Sequence, residues 1–545
     1  MKNYLLLLLL LGTSLATQAQ LLQPSEADFT RDDSLRGTIT TERAWWDLKY
    51  YELRLKVMPE TKTFAGSTTV HYQVLKPHQV MQIDLQPPLK ITKVMQDGQE
   101  ISFSKAGMNA YHIQLEKPQI PAQKETVVVF YEGKPREARR APWDGGVSWK
   151  QDKQGNHFIA TSCQGLGASV WWPCKDHMYD EPDSMLISVN VPEKLMNISN
   201  GRLRRVTLGS DQTRTYDWFV SNPINNYGVN LNIGNYVKFA EIFEGEKGKL
   251  DMDYYVLPYN LEKAKEHFLD APRMMKAFEH WFGPYPFYED GFKLVEVPYL
   301  GMEHQSSVTY GNQYMKGYLG RDLSGTGLGL EFDFIIIHES GHEWFANNIT
   351  YQDIADMWIH ESFTNYSENL FLDFHKGKKA AQDYVIGTRK GIRNDRPIIG
   401  AYGVNKEGSG DMYSKGGNML HMIRTMLQDD EKWRQVLRGL NRDFYHQTVT
   451  TQMVENYLIV HTGLPLQKVF DQYLRDVKIP VVEWKINKKN TLQYRFQNCQ
   501  PDFTMPLDVT VDDKPMRVQP TTQWQSLPGS KLVVDRNYYV DTKSL

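Results

Sequence analysis

Hydrophobic and polar residues alternate along much of the first half of the chain. Between Trp45 and about Tyr131 the alternation recurs in short runs, such as 51–57 and 67–72, separated by proline and glycine. A period of two that breaks every eight to twelve residues or so is typical of antiparallel β-sheet. Similar runs at 186–191, 216–220 and 228–233 extend the pattern. We therefore predict one large β domain over residues 20–245.

The period becomes helical near Leu261. Residues 262–282 place apolar side chains at helical spacing before Gly283-Pro284 ends the run, and 292–297 is predicted as a strand. A turn is predicted at 349–356, and further helices at 330–348, 357–375, 419–428, 432–440, 453–460 and 466–477. This pattern predicts a mostly helical domain over residues 246–479.

Short strands return after Ile479-Pro480. Four runs separated by turn residues, 481–486, 492–496, 507–511 and 531–534, predict a small C-terminal β domain over residues 480–545. Together the three patterns predict a multidomain α+β protein.

The first nineteen residues have the features of a secretory signal peptide. Lys2 precedes an apolar run from Leu5 to Leu11, and small residues stand before Gln20. The run is shorter than the roughly 20 residues that a membrane span requires. No cysteine follows it, which argues against a lipid anchor, and no later apolar run has the length of a span. We expect export, to the periplasm or the extracellular space, without a membrane span.

The composition argues against nucleic acid as a partner and indicates that hydrophobic cores provide most of the stability. The 545 residues are 41% hydrophobic, and 62 basic residues face 65 acidic ones, so nothing suggests a nucleic-acid partner. Three cysteines, at 163, 174 and 499, are too few to be the main source of stability. A bridge between Cys163 and Cys174 and a set of buried thiols are both compatible with the sequence.

The clearest chemistry lies in His338-Glu339-Ser340-Gly341-His342. Histidines four residues apart on a helix are separated by about 6 Å along its axis and can bind one ion from the same face. Glu339 points to the side of that face, where it can act as a base, and Glu361 is the candidate third ligand. A metzincin would need a third histidine at position 348, where Asn348 stands, so that class is excluded.

Several segments resemble motifs of the gluzincin aminopeptidases, the family of alanyl aminopeptidase and leukotriene-A hydrolase. Residues 338–345 match HExxHxWF, and residues 358–363 resemble WLNEGF. Residues 301–304 resemble GxMEN, and 413–416 resemble YxKG. In the β domain, Cys163-Gln164 and 172–176 resemble the family's glutamine segment and PCxD turn. The likeness covers most of the chain.

The resemblance implies a fold and a set of roles. The fold would be a saddle-like antiparallel β domain, a thermolysin-like catalytic domain and a small β-sandwich-like domain. One Zn²⁺ per chain would be held by three ligands: His338, His342 and Glu361. Glu339 would be the general base and Tyr413 the hydrogen-bond donor to the oxyanion. The substrate's free amine would bind Glu303 and Gln164, while its backbone would run along Gly301 and Met302.

The expected activity is therefore zinc-dependent removal of N-terminal residues from peptides. Two departures from the family stand out: His304 replaces an asparagine, and no helical solenoid follows Pro480. The cleft would thus be more open, or covered by a partner subunit in a homo-oligomer. Two alternatives remain, a zinc endopeptidase, which has no use for Glu303, and a non-catalytic binding ectodomain.

Overall fold

The computed structural model describes residues 29–489 and 491–545, so the predicted signal peptide lies outside the described residues. An eight-stranded sheet, β13-β14-β11-β1-β2-β8-β4-β5, is the main layer of the first region. A four-stranded sheet, β12-β15-β10-β9, and a three-stranded sheet, β3-β7-β6, accompany it. The elements of this region are α1 (Arg31–Gly37), α2 (Thr41–Ala44), β1 (Trp46–Met58), β2 (Thr63–Val74), β3 (Val80–Asp84), β4 (Lys90–Gln96), β5 (Gln99–Glu100), β6 (Phe103–Lys105), β7 (Ala110–Gln114), β8 (Lys124–Gly133), β9 (Gly146–Gln151), β10 (His157–Ser162), β11 (Ser184–Pro192), β12 (Met196–Ile198), β13 (Arg202–Leu208), β14 (Thr213–Val220) and β15 (Asn232–Gly234).

The alternation in the sequence corresponds to one buried face of this sheet. Tyr51, Leu53 and Leu55 on β1 are at most 3% exposed, while the residues between them reach the surface or its edge. Strand β1 pairs antiparallel with β2 and parallel with β11. Cys163 and Cys174 are buried in this region as free thiols, not as a disulfide.

The region expected to be the catalytic domain, called the catalytic region below, places helices beside a five-stranded sheet, β16-β17-β18-β20-β19. Its elements are β16 (Val237–Gly245), β17 (Gly248–Val256), α3 (Leu261–His267), α4 (Asp270–Phe282), β18 (Phe292–Glu296), β19 (Gly301–Met302), β20 (Val308–Tyr310), α5 (Phe334–Gly341), β21 (Ile349–Tyr351), α6 (Trp358–Lys376), α7 (Lys378–Gly387), α8 (Ser414–Leu427), α9 (Asp430–Asp443), β22 (Gln447–Val449), α10 (Thr451–Thr462) and α11 (Gln467–Arg475). Strands β16 and β17 form one hairpin. The predicted domain boundary between residues 245 and 246 falls in the turn of this hairpin, after β16 ends at Gly245. It therefore separates β16 from the sheet to which it belongs.

Several predicted elements differ from the structure. The strand predicted over 228–233 is present only as β15, at Asn232–Gly234. The helix predicted over 262–282 is two helices, α3 and α4. The helix predicted over 330–348 begins only at Phe334, where Asp333 accepts hydrogen bonds from two backbone amides, and ends at Gly341. Beyond it the chain turns, with φ −128° and ψ 79° at Phe345. The predicted turn at 349–356 contains the buried strand β21, which pairs with β22.

Two small sheets form the C-terminal region, β27-β24-β23-β29 and β26-β25-β28. Their buried residues continue the apolar core of the catalytic helices. The elements are β23 (Val481–Ile486), β24 (Thr491–Gln497), β25 (Leu507–Val511), β26 (Lys514–Val518), β27 (Gln525–Pro528), β28 (Leu532–Val534) and β29 (Asp541–Ser544). Throughout 29–489 and 491–545, no helix has both the length and the apolar character needed to cross a bilayer.

Candidate active site

All nine residues predicted for the site line one cleft of about 770 Å³. The N-terminal β region contributes Gln164, and strand β19 with the residue after it contributes Gly301, Met302 and Glu303. Helix α5 and its end contribute His338, Glu339 and His342, helix α6 contributes Glu361, and Tyr413 stands immediately before α8. The structure therefore brings together residues that are up to 249 positions apart from Gln164 to Tyr413.

Three of these side chains have the arrangement of a metal site. Nε2 of His338 and Nε2 of His342 lie 3.6 and 3.4 Å from Oε2 of Glu361. Ligand atoms about 2.0–2.1 Å from a tetrahedral zinc ion are about 3.3 Å apart, so the spacing fits that ion. Oε2 of Glu361 is buried and accepts no hydrogen bond from the described residues. A buried carboxylate oxygen without a partner is costly unless a cation binds it.

The Nδ1 atom of His338 and that of His342 each contact a further group of the protein. Nδ1 of His338 lies 2.8 Å from Oε1 of Glu368, and Nδ1 of His342 lies 3.0 Å from the Phe345 carbonyl oxygen and 3.1 Å from Oγ1 of Thr364. Such partners fix the ring orientation and leave Nε2 free for the metal. Sequence reasoning missed Glu368 and Thr364, although Glu368 follows Glu361 by seven residues, two helical turns, and so shares its helix face.

Glycines allow the ligand-bearing helices to approach closely. A Cβ at Gly341 on α5 would lie 2.6 Å from Oγ of Ser367 on α6, and a Cβ at Gly416 on α8 would overlap Oγ of Ser362 on α6. Both contacts are closer than a side chain tolerates. Gly341 and Gly416 thus allow α5 and α8 to pack closely against α6, which carries Glu361. This packing brings Tyr413, at the start of α8, close to the candidate metal site.

Glu339 and Tyr413 flank the ligands. Burial raises the pKa of the Glu339 carboxyl to about 7, with Glu303 adding to the shift and His338 opposing it. Burial also holds the pKa of Tyr413 well above its ordinary value, so its hydroxyl remains protonated and can donate. The Tyr413 ring stacks on His338, with ring centroids 5.9 Å apart.

Glu303 is an acidic residue of the cleft lining, close to the three side chains of the candidate metal site. Nε2 of Gln164 donates to Oε1 of Glu303 at 2.6 Å and to Oε1 of Glu361 at 3.0 Å. One oxygen each of Glu303 and Glu339 and one nitrogen of His342 lie within 4.8 Å of one another. A carboxylate at this distance from the metal site can pair with an ammonium group of a bound molecule.

Tyr227 holds Glu303 directly and His360 contacts Tyr227, and the sequence reasoning identified neither residue. The Tyr227 hydroxyl donates to Oε1 of Glu303 at 3.1 Å. Nε2 of His360 accepts the Tyr351 backbone N–H at 3.0 Å, so its Nδ1 carries the proton and faces the Tyr227 oxygen at 3.5 Å. His360 stands where the WLNEGF motif has asparagine, and that departure was the available signal.

Gly301 packs closely against α5, and His304 is buried away from the cleft. A Cβ at Gly301 would lie 2.6 Å from Cγ2 of Ile335 and 3.2 Å from Cγ of Glu339, so glycine is required by packing against α5. His304 is fully buried and does not line the cleft. Burial lowers its pKa to about 3, so the ring is neutral and does not titrate near neutral pH.

Comparisons with known proteins identify the family of the chain. Residues 48–227 match the peptidase M1 N-terminal domain, and residues 267–473 match the peptidase family M1 domain. The chain is 23% identical over 424 residues to probable aminopeptidase 2 of Sulfurisphaera tokodaii, covering 73% of this chain and 52% of that protein. It is 22% identical to leukotriene A-4 hydrolase of Xenopus laevis, covering 76% of this chain and 68% of that protein.

A solved structure shows the same fold. The M1 zinc metallopeptidase of Deinococcus radiodurans superposes with a TM-score of 0.67 at 19% identity, covering 80% of this chain and 95% of that one. The chain spans about half the length of several curated relatives, 52% for the Sulfurisphaera protein and 49% for mouse glutamyl aminopeptidase. The two family domains together account for more than half of the sequence and contain every residue of the site. The chain therefore belongs to peptidase family M1.

Proposed function

We propose that this protein is a zinc-dependent aminopeptidase that hydrolyses the first peptide bond of peptides with a free N-terminus. The observation that supports the proposal most directly is the position of Glu303. Its carboxylate is buried in the cleft lining, beside His342 and Glu339. An ammonium group bound there places the first peptide bond, and not a later one, near the metal ligands.

His338, His342 and Glu361 would hold the zinc ion. When bound, zinc supplies Lewis-acid chemistry and lowers the pKa of a water molecule to roughly 7. The base is Glu339, whose carboxylate takes a proton from the attacking water and delivers it to the leaving amine. Because the Tyr413 hydroxyl stays protonated, it can donate to the oxyanion that forms on the substrate carbonyl, a role worth on the order of a hundredfold in rate.

The amine end fixes the register of the substrate. Glu303 accepts from the ammonium group, and the carbonyl oxygen of Gln164's side chain is left free to accept as well, since its nitrogen is used on Glu303 and Glu361. Within the described residues β19 is the last strand of its sheet and pairs only with β20, so its other edge is unpaired, and its residues Gly301 and Met302 line the cleft. A peptide can therefore add to that edge as a strand.

The test compares aminoacyl anilides with their N-acetylated forms, using zinc-loaded protein. The proposal expects hydrolysis of the free amines and a loss of at least about 100-fold on acetylation, because a charge-assisted contact of roughly 3 kcal/mol is removed. Equal rates on the two forms would support an endopeptidase. Full zinc content without hydrolysis of any substrate would support a binding ectodomain.

We also propose that the protein is exported. The basic start, short apolar run and small residues within 1–19 support this. Fractionation of producing cells, with N-terminal sequencing of the recovered protein, tests it. Export predicts a protein that begins near Gln20 in the periplasm or medium, and an intact Met1 in the cytoplasm would contradict it.

A further inference from the structure

Arg36 holds the loop that carries Gln164. Its Nη2 donates to the Gly165 carbonyl oxygen at 2.9 Å and also to the carbonyl oxygen of Leu166. The same Gly165 oxygen accepts from Nδ2 of Asn405 at 3.0 Å. These two peptide groups directly follow Gln164, whose side chain reaches Glu303. Arg36 therefore bonds to the chain one and two residues after Gln164, which belongs to the proposed amine site.

The loop at 163–167 depends on such contacts for its shape. It forms no strand or helix, and Gly165 and Gly167 have φ of +70° and +94°. Backbone carbonyls outside a ladder need side-chain partners when they lie away from solvent. Three side chains supply them here: Arg36, Asn405 and Gln86, the last donating to the Leu166 oxygen at 2.8 Å. Among these, Arg36 is the one that bonds to both carbonyls.

Arg36 belongs to the segment 29–44, and the contacts of this segment fix its position. Helix α1 begins with a reciprocal capping box between Thr30 and Asp33. At the other end, Nη1 of the fully buried Arg43 donates to the carbonyl oxygens of Leu35, Arg36 and Thr38 at 2.9, 3.1 and 2.9 Å. Arg43 also pairs with Asp84 at 2.6 Å. The end of α1 that presents Arg36 is thus fixed to the β region.

Gly37 packs the segment 29–44 against a second loop, residues 403–408. It is buried, and a Cβ there would overlap the backbone nitrogens of Val404 and Asn405. The segment 29–44 therefore contacts both the loop at 163–167 and the loop at 403–408, and both loops contribute residues to the lining of the cleft. It lies before residues 48–227, which the N-terminal family domain matches.

We propose that the segment 29–44 is a brace that positions Gln164 for recognition of the substrate's free amine, with Arg36 as its positioning residue. The inference rests on the proposed aminopeptidase function. Arg36 touches neither the ligands nor Glu339. Its removal is therefore expected to weaken amine recognition and to leave the rest of the catalytic machinery in place.

Two inhibitors separate these effects: leucine hydroxamate, which has a free amine, and its des-amino counterpart. Both present the same hydroxamate to the zinc-loaded enzyme. Arg36→Ala is expected to raise the inhibition constant of leucine hydroxamate about tenfold, the effect of hydrogen bonds lost to a half-buried loop. The des-amino compound should bind within about twofold of its affinity for the unmutated enzyme. For aminoacyl anilides, KM should rise more than kcat falls.

Arg31→Ala is the matched control. Arg31 belongs to the same helix and likewise donates to a backbone carbonyl, that of Ala106, at 2.5 Å, but this carbonyl lies outside the cleft lining. It should leave both inhibition constants unchanged. Arg36→Lys, which can satisfy one carbonyl, should lie between Arg36→Ala and the unmutated enzyme. Circular dichroism and zinc content show whether each variant is folded and loaded.

The outcomes distinguish this inference from the proposed function. If the unmutated enzyme binds both hydroxamates equally, the amine site itself is wrong. If the unmutated enzyme prefers the free amine and Arg36→Ala keeps that preference, only the brace is wrong. Equal weakening of both inhibitors by Arg36→Ala, or the same effect from Arg31→Ala, also overturns the brace, because either result means that the segment contributes general stability.

Discussion

The Tyr227 hydroxyl donates a hydrogen bond of 3.1 Å to Oε1 of Glu303. The phenol belongs to the β region and the carboxylate to the catalytic region, so the proposed amine site forms only where these regions meet. Burial, with the Glu303 charge adding to it, holds the pKa of Tyr227 well above its ordinary value. The phenol therefore stays protonated, and its one proton is committed to the carboxylate.

The first prediction concerns that proton. Tyr227→Phe keeps the ring and removes the donor, so Glu303 loses one of its two side-chain hydrogen bonds and is held less firmly. We expect kcat/KM for aminoacyl anilides to fall about tenfold, mainly through KM. Tyr299→Phe is the control, because that buried hydroxyl donates at 2.8 Å to the Thr161 carbonyl and not to Glu303. An equal loss in both variants would mean that the effect is general packing.

The second prediction removes the carboxylate itself. Glu303→Ala should lower kcat/KM on free aminoacyl anilides by about 100-fold or more, since a charge-assisted contact with the ammonium group is lost. Residual activity should no longer distinguish free from N-acetylated substrates. Glu296→Gln serves as control, because Glu296 is buried nearby in the same sheet but accepts from the Leu257 amide and Asn260 and does not line the cleft. Retained preference for free amines in Glu303→Ala would contradict the assignment.

The sequence sufficed for features that depend on local spacing. The alternation on β1 predicted its buried face, because a strand has a strict period of two. The two histidines could be placed together because four residues on one helix bring them to the same face. Glu361 was a candidate third ligand because a catalytic zinc ion needs three protein ligands, and the family resemblance added support, although its position depends on the turn between the two helices.

Features that depend on tertiary contacts were beyond the sequence. Helix α5 continues as an apolar pattern past Gly341, yet it ends there, and the turn at Phe345 brings its carbonyl oxygen to Nδ1 of His342. No local feature of the sequence indicates that the chain leaves the helix here and that the Phe345 carbonyl oxygen contacts His342. In the same way, Tyr227 and Arg36 act on residues 76 and 129 positions away. Such pairs, separated by many positions in the sequence, become visible only in the folded structure.

The third prediction tests the support behind His338. Glu368→Gln replaces the charged acceptor of Nδ1 by a neutral amide, and should weaken zinc binding by about 10- to 100-fold, as is usual for such partners. Competition with a chromophoric chelator measures the change directly. Glu343→Gln is the matched control. It follows His342 directly, but its carboxylate accepts from the Ser306 amide and the Tyr285 hydroxyl, at 2.8 and 3.2 Å. Zinc affinity that is unchanged in Glu368→Gln would show that Nδ1 needs no charged partner.

The fourth prediction concerns the approach of α8 to α6. A methyl group at Gly416 would overlap Ser362, the residue after the ligand Glu361. Gly416→Ala should therefore push the helices apart, destabilise this contact by about 1–3 kcal/mol and displace Glu361 and Tyr413 together. Lower zinc content and a lower melting temperature are the expected readouts.

A second substitution shows whether the lost space is the cause. Ser362→Gly, introduced into Gly416→Ala, removes the atoms that the new methyl group meets and should restore zinc content, while a glycine within a helix still costs about 1 kcal/mol of stability. Gly391→Ala is the control. A Cβ there lies 3.9 Å from Oγ of Ser414, an ordinary contact, so zinc content should stay normal. If Gly416→Ala binds zinc normally, or if Ser362→Gly fails to rescue it, close packing of α8 on α6 does not position the third ligand.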